Sequence, residues 1–186
     1  MAFIRTFIAV DIASTPAMTA FAEAIKKTGA DVKLVEPQNI HITLKFLGDT
    51  DEQLLPDLEE IIRQAVVGVR PFSINLQGSG VFPNRDYLKV IWVGIVAGEQ
   101  METIGGRIEA GCADLGFMKE RRAFSPHLTV GRVRTARNKP QLLDVVDGFK
   151  ETMFATQDVH AVVLKRSVLS PSGPTYTTLI SVPLEG

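Results

Sequence analysis

The sequence predicts an α+β fold built on antiparallel sheets, and three observations predict it. Strand and helix patterns follow one another as β-α-β-β-α-β-β-α-β-α-β-β, which is not the regular βαβ alternation of a parallel sheet. A strand-helix-strand passage leads to HITLKFLG at 41–48, and a second leads to HLTVGRV at 127–133, so the chain carries a loose internal duplication. With 186 residues, 45% of them hydrophobic, the chain can bury roughly 70% of its unfolded surface without disulfides or metals.

Residues 3–12 (FIRTFIAVDI) are β-branched and aromatic and read as a strand. Thr15 followed by Pro16 opens a helix, with Met18, Phe21 and Ile25 on one face and Gly29 as its stop. Strands follow at 32–35 and 40–47. Thr50-Asp51-Glu52-Gln53 fits a capping box for a helix whose inner face is Leu54, Leu58, Ile61, Ile62 and Ala65. Pro56 either kinks that helix or sits in its first turn. Strands at 72–82 and 87–96 flank the turn-rich Pro83-Asn84-Arg85-Asp86. A helix over 99–116 carries Met101, Ile104, Ile108 and Leu115 inward, and a strand follows at 127–133. A short helix at 139–149 packs Leu142, Val145 and Val146, and strands at 159–169 and 175–183 surround Ser170-Pro171-Ser172-Gly173-Pro174.

Composition narrows the function. A net charge of −1 excludes a protein that grips nucleic acid by bulk charge. The single cysteine, Cys112, excludes an internal disulfide framework and a cysteine-cluster zinc site, and reads as a buried structural thiol. No apolar run approaches the ~20 residues of a membrane span. The first residues lack the basic and apolar regions of a signal peptide. A cytoplasmic protein is expected.

The chain has three histidines, and two of them have a threonine two residues on: His41 with Thr43, and His127 with Thr129. On a strand, residues two apart share a face. Each strand therefore offers one imidazole and one hydroxyl, while Ile42, Leu44 and Phe46, and on the other strand Leu128 and Val130, face a core. One such pair is ordinary in a strand, since threonine is a good β-former. Two facing pairs suit a phosphodiester. Two imidazoles divide acid and base work near neutral pH, and two hydroxyls hold the non-bridging oxygens. In-line displacement at phosphorus puts nucleophile and leaving group on opposite sides, so a two-sided site is the geometry required. Three histidines can also hold zinc, but no close-spaced pair favours it. His160 has Val162 at that spacing and reads as an exposed or edge residue.

HITLKFLG at 41–48 and SPHLTVGR at 125–132 resemble the paired HxTx motifs of the 2H phosphoesterase superfamily. They resemble more narrowly its LigT-like branch, the 2′-5′ RNA ligase or RNA 2′,3′-cyclic phosphodiesterase family. RTFIAVDI at 5–12, VEPQNIHITLKFLG at 35–48 and LSPSGPTY at 169–176 extend the likeness over nearly the whole chain. The resemblance implies one domain over 1–186. It would consist of two pseudo-symmetric lobes, each an antiparallel sheet with helices on its outer face, around a central cleft. It implies hydrolysis of an RNA 2′,3′-cyclic phosphate end to a 2′-phosphomonoester, with reversible 2′-5′ ligation as a related activity. His41 would be the proton donor, His127 the proton acceptor, and Thr43 and Thr129 the holders of the phosphate oxygens; nothing in the residues themselves breaks that symmetry. No metal or other cofactor is implied. The expected partner is RNA with 2′,3′-cyclic phosphate ends, transfer-RNA fragments among them, acted on by a monomer.

Arg132 can supply charge to the phosphate, but strict alternation puts it on the face opposite His127 unless the strand bulges near Gly131. Lys45 shares parity with His41 and is placed at the rim of the cleft. Tyr176 can stack on a base. Lys119, Arg121 and Arg122 before the second motif, with Arg132, Arg134 and Arg137 after it, form a basic patch suited to RNA. Two other readings remain at this stage: a phosphodiesterase of small cyclic nucleotides, and a non-catalytic module that binds RNA ends.

Overall fold

The computed structural model describes residues 2–96, 98–120, 124–171 and 173–185; Arg121 and Arg122 of the basic patch lie outside them. The strands are β1 (Phe3–Asp11), β2 (Val32–Leu34), β3 (His41–Asp51), β4 (Phe72–Pro83), β5 (Leu88–Val96), β6 (His127–Val133), β7 (Met153–Val159), β8 (Ala161–Ser170) and β9 (Gly173–Pro183). The helices are α1 (Pro16–Lys27), α2 (Leu55–Val66), α3 (Glu99–Asp114) and α4 (Lys139–Gly148).

The α+β expectation holds. The strands pair antiparallel in the order β7-β4-β5-β6-β3-β1-β8-β9, with β2 alongside β6. The order divides into two four-stranded halves that meet where β3 lies beside β6. Among the described residues the only ladder pair there is Ile42 opposite Leu128. A twofold through that rung exchanges β3 with β6, β1 with β5, β8 with β4 and β9 with β7. The duplication seen in the two HxT motifs is therefore a symmetry of the sheet.

Helices cover one face of the sheet in two pairs. α2 packs on α3 with β9 and β3 beneath, and α1 packs on α4 with β7 and β4 beneath. The core lies between them. Ile8, Ile42, Leu76, Ile91 and Leu128 from the sheet meet Phe21, Leu58, Ile62, Ile104 and Ile108 from the helices, all at most 1% exposed. Cys112 is buried in this core as a free thiol, and burial pushes its pKa up to about 11. The opposite face of β1 and β8 carries a small second cluster of Phe7, Ala9 and Val163, with Tyr176 against it.

Thr15 caps α1 as expected, accepting the Met18 N–H, with Pro16 at the first position. The capping box at Thr50 does not form. Thr50 stays in β3, where its hydroxyl meets the buried Thr6 hydroxyl at 2.8 Å, and Asp51 accepts the Gln53 N–H instead. A 3-10 turn, Glu52–Leu54, then leads into α2, with Pro56 in its first turn. β7 is not marked by the sequence pattern. Its outer residues Thr156 and Asp158 bond Asn75 and Ser73 across the ladder, so an edge strand held partly by polar pairs shows little apolar alternation. The single strand expected at 159–169 is broken at His160, which is exposed at the corner between β7 and β8.

The Ile42–Leu128 rung sets a stability prediction. Leu128 is 1% exposed under the junction of the halves. Leu128→Ala should lower unfolding free energy by about 2–5 kcal/mol, read as a fall in urea midpoint with unchanged slope. A loss below 1 kcal/mol would show that the junction tolerates a cavity.

Candidate active site

The antiparallel rung at Ile42 and Leu128 places His41 across from Thr129 and Thr43 across from His127. Counted from that rung, both histidines fall on the sheet face opposite Ile42 and Leu128. Each ring is fixed the same way. His41 Nδ1 lies 2.7 Å from the Asn39 carbonyl, and His127 Nδ1 lies 2.8 Å from the Ser125 carbonyl. A carbonyl only accepts, so Nδ1 carries the proton in both, and Nε2 is the atom that gains or loses one. Aromatic neighbours brace both rings: Phe7 at 4.8 Å and Tyr176 at 5.3 Å for His41, Phe82 at 5.0 Å for His127.

The two environments differ. Burial pushes the His41 pKa below the usual imidazole value. The Asn39 carbonyl and Asp11 oppose that shift, and the Lys165 and Arg132 cations add to it. Asp11 stands opposite His41 on β1, and its carboxylate accepts from Lys165 Nζ at 2.6 Å. No comparable ion pair is found beside His127 among the described residues.

Beside the site lies a cleft of about 780 Å³ whose wall includes His41, Thr43, Thr129, Arg132, Phe46 and Tyr176. His127 is not part of this wall; its ring stands edge-on to Phe82. Two β-bulges decide which later residues reach the cleft. In β3, Thr43 pairs with Ala9 and Lys45 with Ile8, so Leu44 is the extra residue. In β6, Thr129 pairs with Trp92 and Gly131 with Ile91, so Val130 is the extra residue. Both bulges fall three residues after the histidine, and each inverts the parity beyond it.

Three sequence expectations turn on those bulges. Arg132 reaches the cleft, as the bulge near Gly131 allows. Lys45 does not: it sits opposite Ile8, which faces the helices, and is 3% exposed. Its ammonium pairs with Glu109 of α3 at 2.8 Å and donates to the Met118 carbonyl at 2.7 Å. Phe46, expected in the core, is instead 46% exposed in the cleft wall. Sequence reasoning also missed Arg5, whose guanidinium lies over the Phe46 ring at 4.9 Å, and the Asp11–Lys165 pair. Plain alternation from Phe7 places Arg5 and Asp11 on the cleft face, so that signal was available. Among the described residues no group of three or more His, Cys, Asp or Glu gathers to hold a metal, and no helix is long and apolar enough to cross a membrane.

A duplicated antiparallel sheet that presents two histidine–threonine pairs around its axis defines a scaffold for acid–base chemistry at one anionic centre. Comparison with known proteins gives the family. The chain belongs to the 2′-5′ RNA ligase superfamily, whose family model matches residues 14–167. It is 37% identical over 178 residues to the RNA 2′,3′-cyclic phosphodiesterase of Methanothermobacter thermautotrophicus, covering 95% of this chain and 96% of that one. It is 37% identical over 177 residues to the protein of the same name from Methanocaldococcus jannaschii, covering 94% and 98%. Among solved structures, TT0787 of Thermus thermophilus superimposes with a TM-score of 0.79 at 28% identity, covering 98% and 99%. Escherichia coli LigT complexed with 3′-AMP shares the fold at a TM-score of 0.74 and 21% identity, over 100% of both chains.

Lys45 joins the first-motif strand to the segment that leads into the second motif, because its partner Glu109 also accepts the Glu120 N–H at 2.8 Å. Burial works against the Glu109 charge, yet the Lys45 bond and the Glu120 N–H hold its pKa below the usual carboxylate value. Lys45→Met should cost about 2–4 kcal/mol and speed amide exchange across 117–120; unchanged exchange there would show the clasp is not what holds the segment. A second prediction concerns pH. The kcat/KM profile should show a break below the usual imidazole value of about 6.5, and Lys165→Met should move it upward by removing a cation that disfavours charged His41. A break that stays put would separate Lys165 from the titration.

Proposed function

We propose that this chain hydrolyses 2′,3′-cyclic phosphate ends of RNA to 2′-phosphomonoesters by two-histidine acid–base catalysis. The observation that carries the reading is the rung that sets each histidine across from the other motif's threonine. The name of the relatives at 37% identity over nearly the full chain supports the substrate.

The chemistry follows from the atoms. The Thr43 and Thr129 hydroxyls donate to the two non-bridging oxygens, and Arg132 supplies opposite charge. His127 Nε2 removes a proton from water as the water oxygen bonds to phosphorus. The bond from phosphorus to O3′ breaks, and protonated His41 Nε2 gives its proton to O3′. The phosphate stays on O2′. His41 is then neutral and His127 charged, and exchange with solvent resets the pair. Burial disfavours charged His41 in the free protein, but the anionic phosphate favours it, so substrate binding itself brings the acid into its working form. A 5′-hydroxyl in place of water gives a 2′-5′ linkage with the strained ring as the driving force, which accounts for ligation without ATP. The chain acts as one bilobal domain and as a monomer in the cytoplasm, with no metal, and fragments of transfer RNA are suitable substrates.

The test is incubation with an RNA oligonucleotide ending in a 2′,3′-cyclic phosphate, followed by identification of the oxygen that keeps the phosphate. A 2′-phosphate product is expected, with turnover undiminished by EDTA. His41→Ala and His127→Ala should each lower kcat by about 10²–10⁴-fold while leaving the melting temperature near that of the wild type. Turnover within tenfold of wild type in either folded variant overturns the paired mechanism. The kcat break assigned to His41 should lie above its kcat/KM counterpart; coincidence of the two would mean the phosphate does not charge that ring.

A further inference from the structure

We propose that Lys33 forms a second anion subsite in the cleft, which holds the backbone phosphodiester next to the cyclic phosphate of a bound RNA end. This inference rests on the reading above and deepens it by placing the chain that precedes the reacting nucleotide. β2 is seated on the second-motif strand: Val32, Lys33 and Leu34 pair with Val133, Arg132 and Gly131. The seat is close because Gly131 has no side chain; a Cβ there would lie 2.7 Å from Val32 Cγ1 and 3.2 Å from Leu34 Cδ2. Val32 and Leu34 pack against the core. Alternation then turns Lys33 the other way, into the cleft wall beside Arg132.

Charge gives this placement its meaning. Residues directly opposite in an antiparallel ladder hold their Cβ atoms about 4.5–5.5 Å apart, and two like charges there repel. Anions bound at the two cations remove that cost. The cyclic phosphate carries a single negative charge, which Arg132 meets in the reading above. Among the described residues the cleft wall nevertheless offers three permanent cations, Arg5, Lys33 and Arg132, against one carboxylate, Glu36. That surplus stands in a chain whose net charge is −1. Arg5 lies over the Phe46 ring. Lys33 therefore suits a further anion, and an RNA end supplies one in the phosphodiester that joins its last two nucleotides. Lys33 also has the reach. A Cβ at Gly173 would lie 3.4 Å from its Nζ, so the ammonium extends from β2 to the first residue of β9. A compact charge on a flexible stem can follow a backbone phosphate without demanding one geometry. A lone nucleoside cyclic phosphate has no second anion, so the subsite favours RNA over small cyclic nucleotides.

The test uses two dinucleotides that end in a 2′,3′-cyclic phosphate, one joined by a phosphodiester and the other by an uncharged methylphosphonate. Wild-type protein should show a kcat/KM about tenfold higher for the charged compound. Lys33→Met should abolish that preference and Lys33→Arg should keep it; taking the ratio within each variant cancels any loss of folded protein. With the charged compound, the fall of log kcat/KM against log salt should become shallower by about 0.7 in Lys33→Met. A ratio or a salt slope in Lys33→Met equal to that of the wild type overturns the subsite. Wild-type protein that turns over neither compound overturns the hydrolase reading and the inference with it. Turnover of both compounds by the wild type without preference overturns the inference alone.

Discussion

The arrangement of the site depends on one antiparallel rung. Ile42 opposite Leu128 fixes where the two halves of the sheet meet, and every functional side chain is counted from it. A slip of one residue by either strand would turn that strand's histidine onto the helix-covered face and bring its core residues into water. Burial resists that slip, because Ile42, Leu44 and Leu128 are 0%, 6% and 1% exposed in one continuous core. The register of the two histidine–threonine pairs is thus specified by apolar packing on the far side of the sheet.

The rung makes the histidines equivalent, and their surroundings make them unlike. Both rings use the carbonyl two residues earlier to hold Nδ1. Among the described residues, only His41 has a salt bridge beside it, between Asp11 and Lys165, with Phe7 and Tyr176 against the ring. An acid–base pair needs this inequality, since one imidazole must hold a proton while the other lacks one. Gene duplication supplies two copies of a motif. The neighbours that strands β1, β8 and β9 bring to the first copy make one copy different.

The sequence disclosed the fold class, most elements and the central pairs, because period-two patterns on central strands are strong and the HxT motif repeats. His41, Thr43, His127 and Thr129 needed no knowledge beyond alternation. Lys45 and Phe46 went wrong together for one reason: an extra residue at Leu44 has no local marker, so parity was carried past the point where it inverts. In β6 the glycine at 131 did mark an irregularity, and Arg132 was located correctly. β7 escaped notice because its pairing is partly polar. The Asp11–Lys165 pair lies beyond reach of pattern reasoning, since its members stand 154 residues apart.

That separation bears on how the protein is made. The half that carries His41 is knitted from opposite regions of the chain: β1 and β3 emerge early in synthesis, while β8 and β9 follow the whole of the other half. On the ribosome, the middle segments β4 to β7 can pair among themselves before the first histidine receives Lys165 and Tyr176. Lys165 and Tyr176, which complete the ion pair and the aromatic brace that Asp11 and Phe7 begin around His41, are therefore the last of its neighbours to be synthesised.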